Sequence, residues 1–157
     1  MDSFINLLPL DMVEKILACV ASSSRIALFN AKRSCTLFNG IANSNCIYRH
    51  VSLQGLPFPH DMKPEVYSFY QKCLESENPE ALFREGMGCF VQDPTKEYGF
   101  HCLERAANAG HATATYILGI KLVGCGSESD KQRGLKLLEK IKTSGAMREC
   151  RNKLKGT

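Results

Sequence analysis

The feature of this sequence that most constrains its fold is a repeat in the second half of the chain. Residues 99–105 match residues 134–140 at an offset of 35, with a glycine at the start of each segment and Glu followed by a basic residue at its end. Further pairs keep the same or a similar spacing: Lys96 with Lys131, Gly110 with Gly145, Ala81 with Ala114, and Gly86 with Gly119. A period in the mid-thirties is typical of paired helices stacked into a solenoid. The chain is therefore predicted to be all-α.

Each repeat begins and ends with residues that delimit helices. Asn78-Pro79 and Asp93-Pro94 are helix starts, because the first side chain can accept backbone hydrogen bonds and proline suits the first helical position. Gly110 stands where a glycine commonly follows the last helical turn. The glycine motifs at 86–88 and 124–126 are interpreted as inter-helix turns, since they lack the preceding strand of a nucleotide-binding loop. The sequence thus predicts helices at about 79–90 and 94–109, within repeats at about 79–110 and 111–145.

The repeat residues resemble Sel-one-like repeats, which are related to the tetratricopeptide repeat. The resemblance rests on Ala114-Thr-Tyr-Ile-Leu118-Gly119, on Gly124-Cys-Gly126 and on Arg105-Ala-Ala-Asn-Ala-Gly110-His111. It implies helix pairs that stack closely, because small residues at a crossing let the two backbones approach. Gly99 and Gly134 depart from the family pattern, which has alanine there, and glycine inside a helix costs about 1 kcal/mol relative to alanine.

Three short helices are predicted between residues 5 and 50. The first follows Pro9 and carries apolar residues at the spacing of one helical face, namely Leu10, Val13, Ile16, Leu17 and Val20. The serines at 22–24 form a loop in which Ser24 or a neighbour is expected to cap the second helix. The third helix carries Cys35 and Phe38, and the 43–45 segment (Asn-Ser-Asn) is expected to break it.

This N-terminal pattern resembles an F-box of plant type. The resemblance rests on the Leu8-Pro9 pair that starts the segment, the Ile16-Leu17 pair, Leu28, and Cys35 with Phe38; it departs from the family at Thr36, where lysine is usual. The resemblance implies a non-catalytic subunit that binds a Skp-one-type adaptor of an SCF-type cullin–RING ubiquitin ligase. The implied adaptor contacts are Leu8, Pro9, Met12, Leu28, Lys32, Cys35 and Phe38. Val13, Ile16, Leu17 and Val20 are assigned to the internal core instead.

A proline-rich stretch separates the two helical regions. Pro57, Pro59 and Pro64 forbid a regular helix across this stretch. Pro64 can open a further helix, expected at 64–75, which would cap one end of the repeat array while a basic helix at 147–155 caps the other. The predicted organisation is a three-helix F-box-like domain at 1–55, a linker at 56–64, and a repeat domain at 65–157.

Composition and charge limit the partners that are expected. Residues 131–157 contain nine Lys or Arg and two Glu, a net charge of +7, so the first 130 residues carry −3 of the chain's +4. A basic tail can meet nucleic acid, but the pI of about 8.6 falls below that of dedicated nucleic-acid binders. The eight scattered cysteines form no CxxC motif and are expected to be thiols without a metal. With no signal-peptide core and no long apolar run, the expected location is the cytoplasm or the nucleus, away from membranes.

No pattern in the sequence indicates an enzyme or a cofactor. The best nucleophile–base pair, His101 and Cys102, would point about 100° apart as neighbours on a helix. The repeats are expected to select an unidentified target protein, and Tyr and Arg are enriched at interfaces. The candidate target contacts are Tyr98, His101, Arg105 and Tyr116. Two alternatives stay open: a helical-repeat scaffold without a ligase role, and a nucleic-acid-binding protein that uses the basic tail.

Overall fold

The computed structural model describes residues 7–93 and 95–156, and over these residues the chain forms ten α-helices and no strand. In chain order they are α1 (Leu10–Ser23), α2 (Arg25–Ser34), α3 (Thr36–Ile41), α4 (Asn45–His50), α5 (Pro64–Glu75), α6 (Pro79–Gln92), α7 (Glu97–Asn108), α8 (Ala112–Cys125), α9 (Glu128–Thr143) and α10 (Met147–Lys155). The chain divides into two compact units, one up to Ala81 and one from Leu82. The prediction of an all-α protein is confirmed. None of these ten helices is long and apolar enough to cross a membrane.

The short helices of the first unit are held together by one apolar core. α1 buries Val13, Leu17 and Ala21, which follow one another at steps of four and so lie on one helical face. Leu28 of α2 and Ile47 of α4 are fully buried in the same cluster. Burying a leucine or isoleucine side chain contributes about 1.5–3 kcal/mol. This burial stabilises helices that are too short to persist alone in water.

A fourth short helix, α4, follows the three that the sequence predicts. The 43–45 segment, expected to be a break, contains its cap. The Ser44 hydroxyl accepts a hydrogen bond from the Ile47 N–H at 3.4 Å and donates one to the Glu14 carboxylate at 2.6 Å. Ser24 caps α2 as predicted, by accepting the backbone N–H three residues on at 3.2 Å. Each serine accepts a hydrogen bond from a backbone N–H that the first helical turn leaves unpaired. The described part of the N-terminal region therefore has four short helices, where the sequence predicts three.

The proline-rich segment lies inside the first compact unit. Segment 56–64 contains a short 3-10 turn at Pro59–Asp61 and packs in part against the core of α1–α4. Tyr70 and Cys73 of α5 are fully buried in that same core. The division between the units therefore follows Ala81 and does not coincide with the predicted linker, because the apolar face of α5 is buried with the N-terminal helices.

Asn78 joins the end of α4 to the start of α6. Its side chain is 2% exposed, and its Nδ2 donates to the carbonyl oxygens of Tyr48 and Val51, both at 2.9 Å. Its Oδ1 accepts the backbone N–H groups of Glu80 at 3.0 Å and Ala81 at 3.2 Å. The predicted helix cap is confirmed. The same side-chain amide also donates hydrogen bonds to two carbonyl oxygens at the end of α4.

The helices from α5 onward alternate in two types, and helices of the same type start at a regular spacing along the chain. α6 and α8 both have 14 residues, and the start moves from Pro79 to Ala112. α5 and α7 both have 12 residues, and their start moves by the same 33 residues, from Pro64 to Glu97. α9 carries an additional first turn, which Ser127 closes as a capping box. α5 and α10, predicted as caps of the array, are thus the register equivalents of α7 and α8.

A left-handed residue follows α5, α7 and α9 at equivalent places. Gly110 has φ +90° after α7, and Gly145 has φ +74° after α9. Glu77 stands at this place after α5, with φ +59°. Glycine is favoured in this conformation because it has no β-carbon to clash. The predicted glycine end at Gly110 is confirmed.

Two pairs of glycines mark the places where the helices of each hairpin cross. A β-carbon on Gly86 of α6 would lie 2.9 Å from the carbonyl oxygen of Gly99 on α7. One on Gly119 of α8 would lie 3.2 Å from the carbonyl oxygen of Gly134 on α9. Glycine replaces the family's alanine at 99 and 134 because the backbones approach too closely for a side chain.

The glycine motifs interpreted as turns lie mostly within helices. The motif at 86–88 is inside α6, and of the motif at 124–126 only Gly126 lies outside α8. That interpretation is wrong for the residues within the helices, and at Gly86 the reason is that the crossing of α6 with α7 requires glycine in mid-helix. The turn before α7 is instead closed by Asp93, whose carboxylate accepts the Thr95 N–H at 3.0 Å and hydroxyl at 2.6 Å. The predicted start at Pro94 lies outside the described residues, and α7 begins at Glu97.

Candidate partner-binding surfaces

Leu8 and Pro9 lie at the protein surface ahead of α1. Leu8 is 39% exposed, and Pro9 is exposed as well. The carbonyl oxygen of Pro9 accepts the N–H groups of Met12 at 3.0 Å and Val13 at 3.2 Å. Pro9 is therefore the residue that caps α1, and both side chains stand outside the helix and its core. The exposure predicted for these two residues is confirmed.

A stripe of apolar side chains continues along the outer face of α1. Met12 is 47% exposed, Ile16 is 51% exposed, and Cys19 is exposed as well. These residues are four and three positions apart and so lie on one face. The assignment of Ile16 to the internal core is wrong. Val13 and Leu17 face the core, and Ile16 points about 100° away from its neighbour Leu17.

The remaining apolar contacts implied by the F-box resemblance lie deeper. Leu28 is 1% exposed, so its side chain supports the surface from within the core and is not available to a partner. Cys35 precedes α3 in an extended conformation and is partly buried. Phe38 packs against the core from α3 and is partly buried. Val20, assigned to the core, is partly buried on α1.

Two exposed apolar residues on α2 were not singled out from the sequence. Ile26 is 68% exposed and Phe29 is 39% exposed. They are three positions apart and lie away from Leu28, which occupies the core face of the same helix. The spacing of the apolar residues indicates that some of them are exposed, because positions 26, 28 and 29 cannot all lie on one face of a helix with 3.6 residues per turn.

Lys32 is a partly buried cation on α2. Its Nζ donates to the Asn43 Oδ1 at 2.8 Å and lies 5.8 Å from the centre of the Phe29 ring. Burial, and then the positive charge of Lys72, lower the pKa of Lys32. The predicted adaptor contact thus belongs to a polar cluster between helices and is not a fully solvated surface lysine.

Three of the four candidate target contacts share one helix. Tyr98, His101 and Arg105 are three and four positions apart on α7 and so project from one face. Tyr98 is 52% exposed, His101 is exposed, and Arg105 is partly buried. Burial, and then a hydrogen bond with Cys102, raise the pKa of Tyr98 to about 12. Its phenol therefore stays neutral at physiological pH and can donate a hydrogen bond.

Tyr116 belongs to a different helix from the other target candidates. It lies partly buried on α8, and its hydroxyl accepts a hydrogen bond from the Arg151 Nε of α10 at 3.3 Å. This contact ties α8 to α10. The structure therefore brings three of the four predicted contacts together and leaves Tyr116 with a structural role between two repeat helices.

The cysteines are thiols in the structure. None of the eight, all of which lie within residues 7–93 and 95–156, forms a disulfide. Burial raises the pKa of Cys73 to about 12, so this thiol stays protonated and is a poor nucleophile. Over the same described ranges, no group of three or more His, Cys, Asp or Glu side chains is arranged to hold a metal ion.

Two proteins of Arabidopsis thaliana are similar to this chain. One, At1g67623, is provisionally named an F-box protein; it is 30% identical over 136 residues, which cover 85% of this chain and 45% of the relative. This chain therefore spans less than half the length of that relative. The other, the F-box protein At2g35280, is 24% identical over 153 residues, which cover 98% of this chain and 94% of the relative. No solved structure matches the chain.

The repeat half of the chain also matches a family of repeat proteins. Residues 53–157 match the family model described as plant tetratrico peptide repeats, a stretch that contains α5 to α10. The match supports helical repeats of the tetratrico peptide type and does not identify the Sel-one-like type expected from the sequence. The matched stretch covers more than half of the chain and includes both glycine crossings. The chain therefore belongs to the plant tetratrico peptide repeat family.

Proposed function

We propose that this chain is an F-box substrate receptor. Its N-terminal helices bind a Skp-one-type adaptor of a cullin–RING ubiquitin ligase, and its repeats recruit a target protein. In this proposal the chain is a non-catalytic subunit that acts in the cytoplasm or the nucleus. The observation that carries the proposal is the exposed apolar surface of Leu8, Pro9 and Met12, at the start of a chain similar to two proteins named as F-box proteins.

The energetics of this surface favour a protein partner. Leu8, Met12 and Ile16 expose 39%, 47% and 51% of their area to water while the opposite face of α1 fills the core. Covering apolar area contributes about 25 cal/mol per Å². An apolar groove on an adaptor would therefore gain most of its binding energy from these side chains, in the way that helices are commonly bound in grooves.

The repeats supply the second surface of the proposed receptor. Tyr98 and His101 are exposed on one face of α7, beside the partly buried Arg105. Stacked hairpins present such side chains at fixed spacing, which suits selection of a partner without a catalytic site. A target protein is therefore expected to contact α7.

The proposal is tested by co-expressing the full chain with a Skp-one-type adaptor and measuring capture in a pull-down. A Leu8→Ala/Pro9→Ala variant should fold normally, because neither side chain belongs to the core and any residue at position 9 retains the carbonyl oxygen that caps α1. Leu135→Ala is the matched control, since Leu135 is 58% exposed on α9 of the repeat half. Wild type and control are expected to capture the adaptor, and the double variant is expected to lose it.

A well-folded wild-type chain that fails to capture the adaptor would contradict the ligase role. The helical-repeat scaffold would then be the better interpretation of the family match. Equal loss of capture in Leu135→Ala and in the double variant would also contradict the proposed surface, because the loss would not depend on the start of α1.

A further inference from the structure

Donor groups from three helices of the first unit converge near Asn43. Lys32 of α2 donates its Nζ to the Asn43 Oδ1 at 2.8 Å, and the Tyr48 hydroxyl of α4 donates to the same oxygen at 3.2 Å. Lys72 of α5 places its Nζ 5.9 Å from the centre of the Tyr48 ring. The Asn43 amide is held in this orientation because its Nδ2 donates to the Asn39 carbonyl oxygen at 2.8 Å. The neutral Asn43 Oδ1 therefore accepts hydrogen bonds from both the Tyr48 phenol and the Lys32 ammonium, and the Lys72 ammonium lies near the Tyr48 ring.

The positive charge at this cluster is not compensated within the described part of the chain. Over residues 7–93 and 95–156, neither Lys32 nor Lys72 forms an ion pair with a carboxylate. The pKa of Lys32 is lowered first by burial of the ammonium and second by repulsion from Lys72. Each ammonium carries three N–H donors, and Lys32 uses one of them on Asn43. The two lysines therefore offer several donors and two charges to an anion.

Three aromatic rings, those of Phe29, Tyr48 and Phe69, lie next to this cluster. The Phe69 ring lies 5.6 Å from that of Phe29 and 6.0 Å from that of Tyr48, measured between ring centres. The Lys32 Nζ lies 5.8 Å from the centre of the Phe29 ring, and the Lys72 Nζ lies 5.9 Å from the centre of the Tyr48 ring. Burial, and then the nearby Cys73, raise the pKa of Tyr48, so its hydroxyl stays protonated and donates its one hydrogen to the Asn43 Oδ1.

We propose that Lys32 and Lys72 form a binding site for a phosphoryl group, carried by inorganic phosphate or by a phosphorylated side chain of a partner. A phosphate monoester has a charge of about −1.5 to −2 at pH 7 and three acceptor oxygens, which matches two ammonium groups better than the single charge of one carboxylate. Lysine binds phosphate as a compact point charge. Bound phosphate would relieve the repulsion between the lysines. The site includes Lys32, one of the adaptor contacts implied by the F-box resemblance, but phosphate binding is tested with this chain alone and so is separable from adaptor binding.

Thermal unfolding of the full chain in inorganic phosphate tests the site, with chloride at equal ionic strength as the reference. Phosphate stabilises folded proteins generally, so the specific part is the difference between variants. Lys72→Met keeps the apolar stem but removes the charge, and Lys72 is an exposed side chain. Lys15→Met removes the same charge from an exposed position on α1 and is the matched control. Phosphate affinity is expected to fall at least about tenfold in Lys72→Met and to be unchanged in Lys15→Met.

NMR of ¹³C-labelled lysines gives a second readout. The pKa of Lys32 is expected to rise when phosphate binds, because a nearby anion favours the charged ammonium. A labelled peptide with one phosphoserine, compared with its unphosphorylated form, identifies the source. Phosphopeptide binding that inorganic phosphate displaces supports a partner's side chain, whereas binding of inorganic phosphate alone supports the free ion. Equal phosphate stabilisation of wild type, Lys72→Met and Lys15→Met would overturn the proposal.

Discussion

The carbonyl oxygen of Gly119 lies 2.8 Å from the point where a β-carbon on Gly134 would stand. Val123 and Leu122 crowd the same point, at 2.9 Å and 3.0 Å. The backbones of α8 and α9 are therefore in contact at this pair, and α6 and α7 repeat the arrangement one hairpin earlier. The two glycines lower the intrinsic helix propensity of their segments, and in return they permit an approach that no other residue allows.

Gly134→Ala is expected to lower the free energy of unfolding by about 1–3 kcal/mol, because the new methyl group must push the backbone of α8 away. Alanine favours the helix by about 1 kcal/mol, which the clash outweighs. Gly124→Ala in α8 is the control; its β-carbon would meet nothing within 4 Å, so this variant should be neutral or up to about 1 kcal/mol more stable. Urea unfolding measures both, and a more stable Gly134→Ala would contradict the close crossing.

Asn78→Asp is expected to destabilise the chain by about 2–4 kcal/mol although it preserves the shape of the side chain. A carboxylate can still cap α6, but it cannot donate to the Tyr48 and Val51 carbonyls, which are left buried without that partner. Asn30→Asp, at an exposed position on α2, should change stability by less than about 0.5 kcal/mol. Denaturant unfolding of the two variants side by side checks the difference. Equal effects would argue against the bridging role of Asn78.

Substitution of Leu17 is expected to destabilise the chain much more than substitution of its neighbour Ile16. Leu17→Ala should cost about 2–5 kcal/mol, because Leu17 is 2% exposed in the core. Ile16→Ser should change stability by less than about 0.5 kcal/mol, because Ile16 is half exposed. If the proposed adaptor surface is correct, Ile16→Ser should nevertheless weaken capture of the adaptor. A strongly unfolded Ile16→Ser protein would show that Ile16 belongs to the core after all.

The start of α9 is expected to loosen in acid. The Asp130 carboxylate accepts the Ser127 hydroxyl at 2.7 Å and the Ser127 N–H at 3.1 Å, and these bonds lower the pKa of Asp130 below its ordinary value of 3.8. Because the pKa is depressed in the folded state, the stabilisation is fully present above the unfolded pKa and is lost as pH falls through the folded pKa. The change is thus confined to pH values below about 4.

Amide hydrogen exchange in the first turn of α9 measures this effect. Protection should fall with decreasing pH in the wild type and be low at all pH values in Asp130→Ala. Glu128→Gln removes an exposed acid from the same turn without touching the capping box, so it should keep the wild-type pH dependence. An identical pH profile in Asp130→Ala and wild type would exclude Asp130 as the titrating group.

Several features of the structure can be predicted from the residues alone because they depend on local chemistry. The helix caps at Ser24 and Asn78 and the glycine end at Gly110 depend on a few neighbouring backbone groups, so their prediction needed no knowledge of the fold. The repeat was readable because equivalent helices carry equivalent residues, as Gly86 and Gly119 do. Local chemistry does not exclude α4, because Ser44 in the segment expected to be a break is a residue type that commonly caps helices.

The sequence by itself thus determined an all-helical chain, its repeat register and several helix ends. Tertiary structure alone decided which side chains face water: Ile16 rather than Leu17 is exposed, and Leu28 is buried beside the exposed Phe29. It also decided that α5 shares a core with the N-terminal helices, and that Lys72 lies near Lys32, forty residues earlier in the chain. The physical reason is that a helical pattern specifies a face only relative to its neighbours, and those neighbours are brought together by contacts distant in sequence.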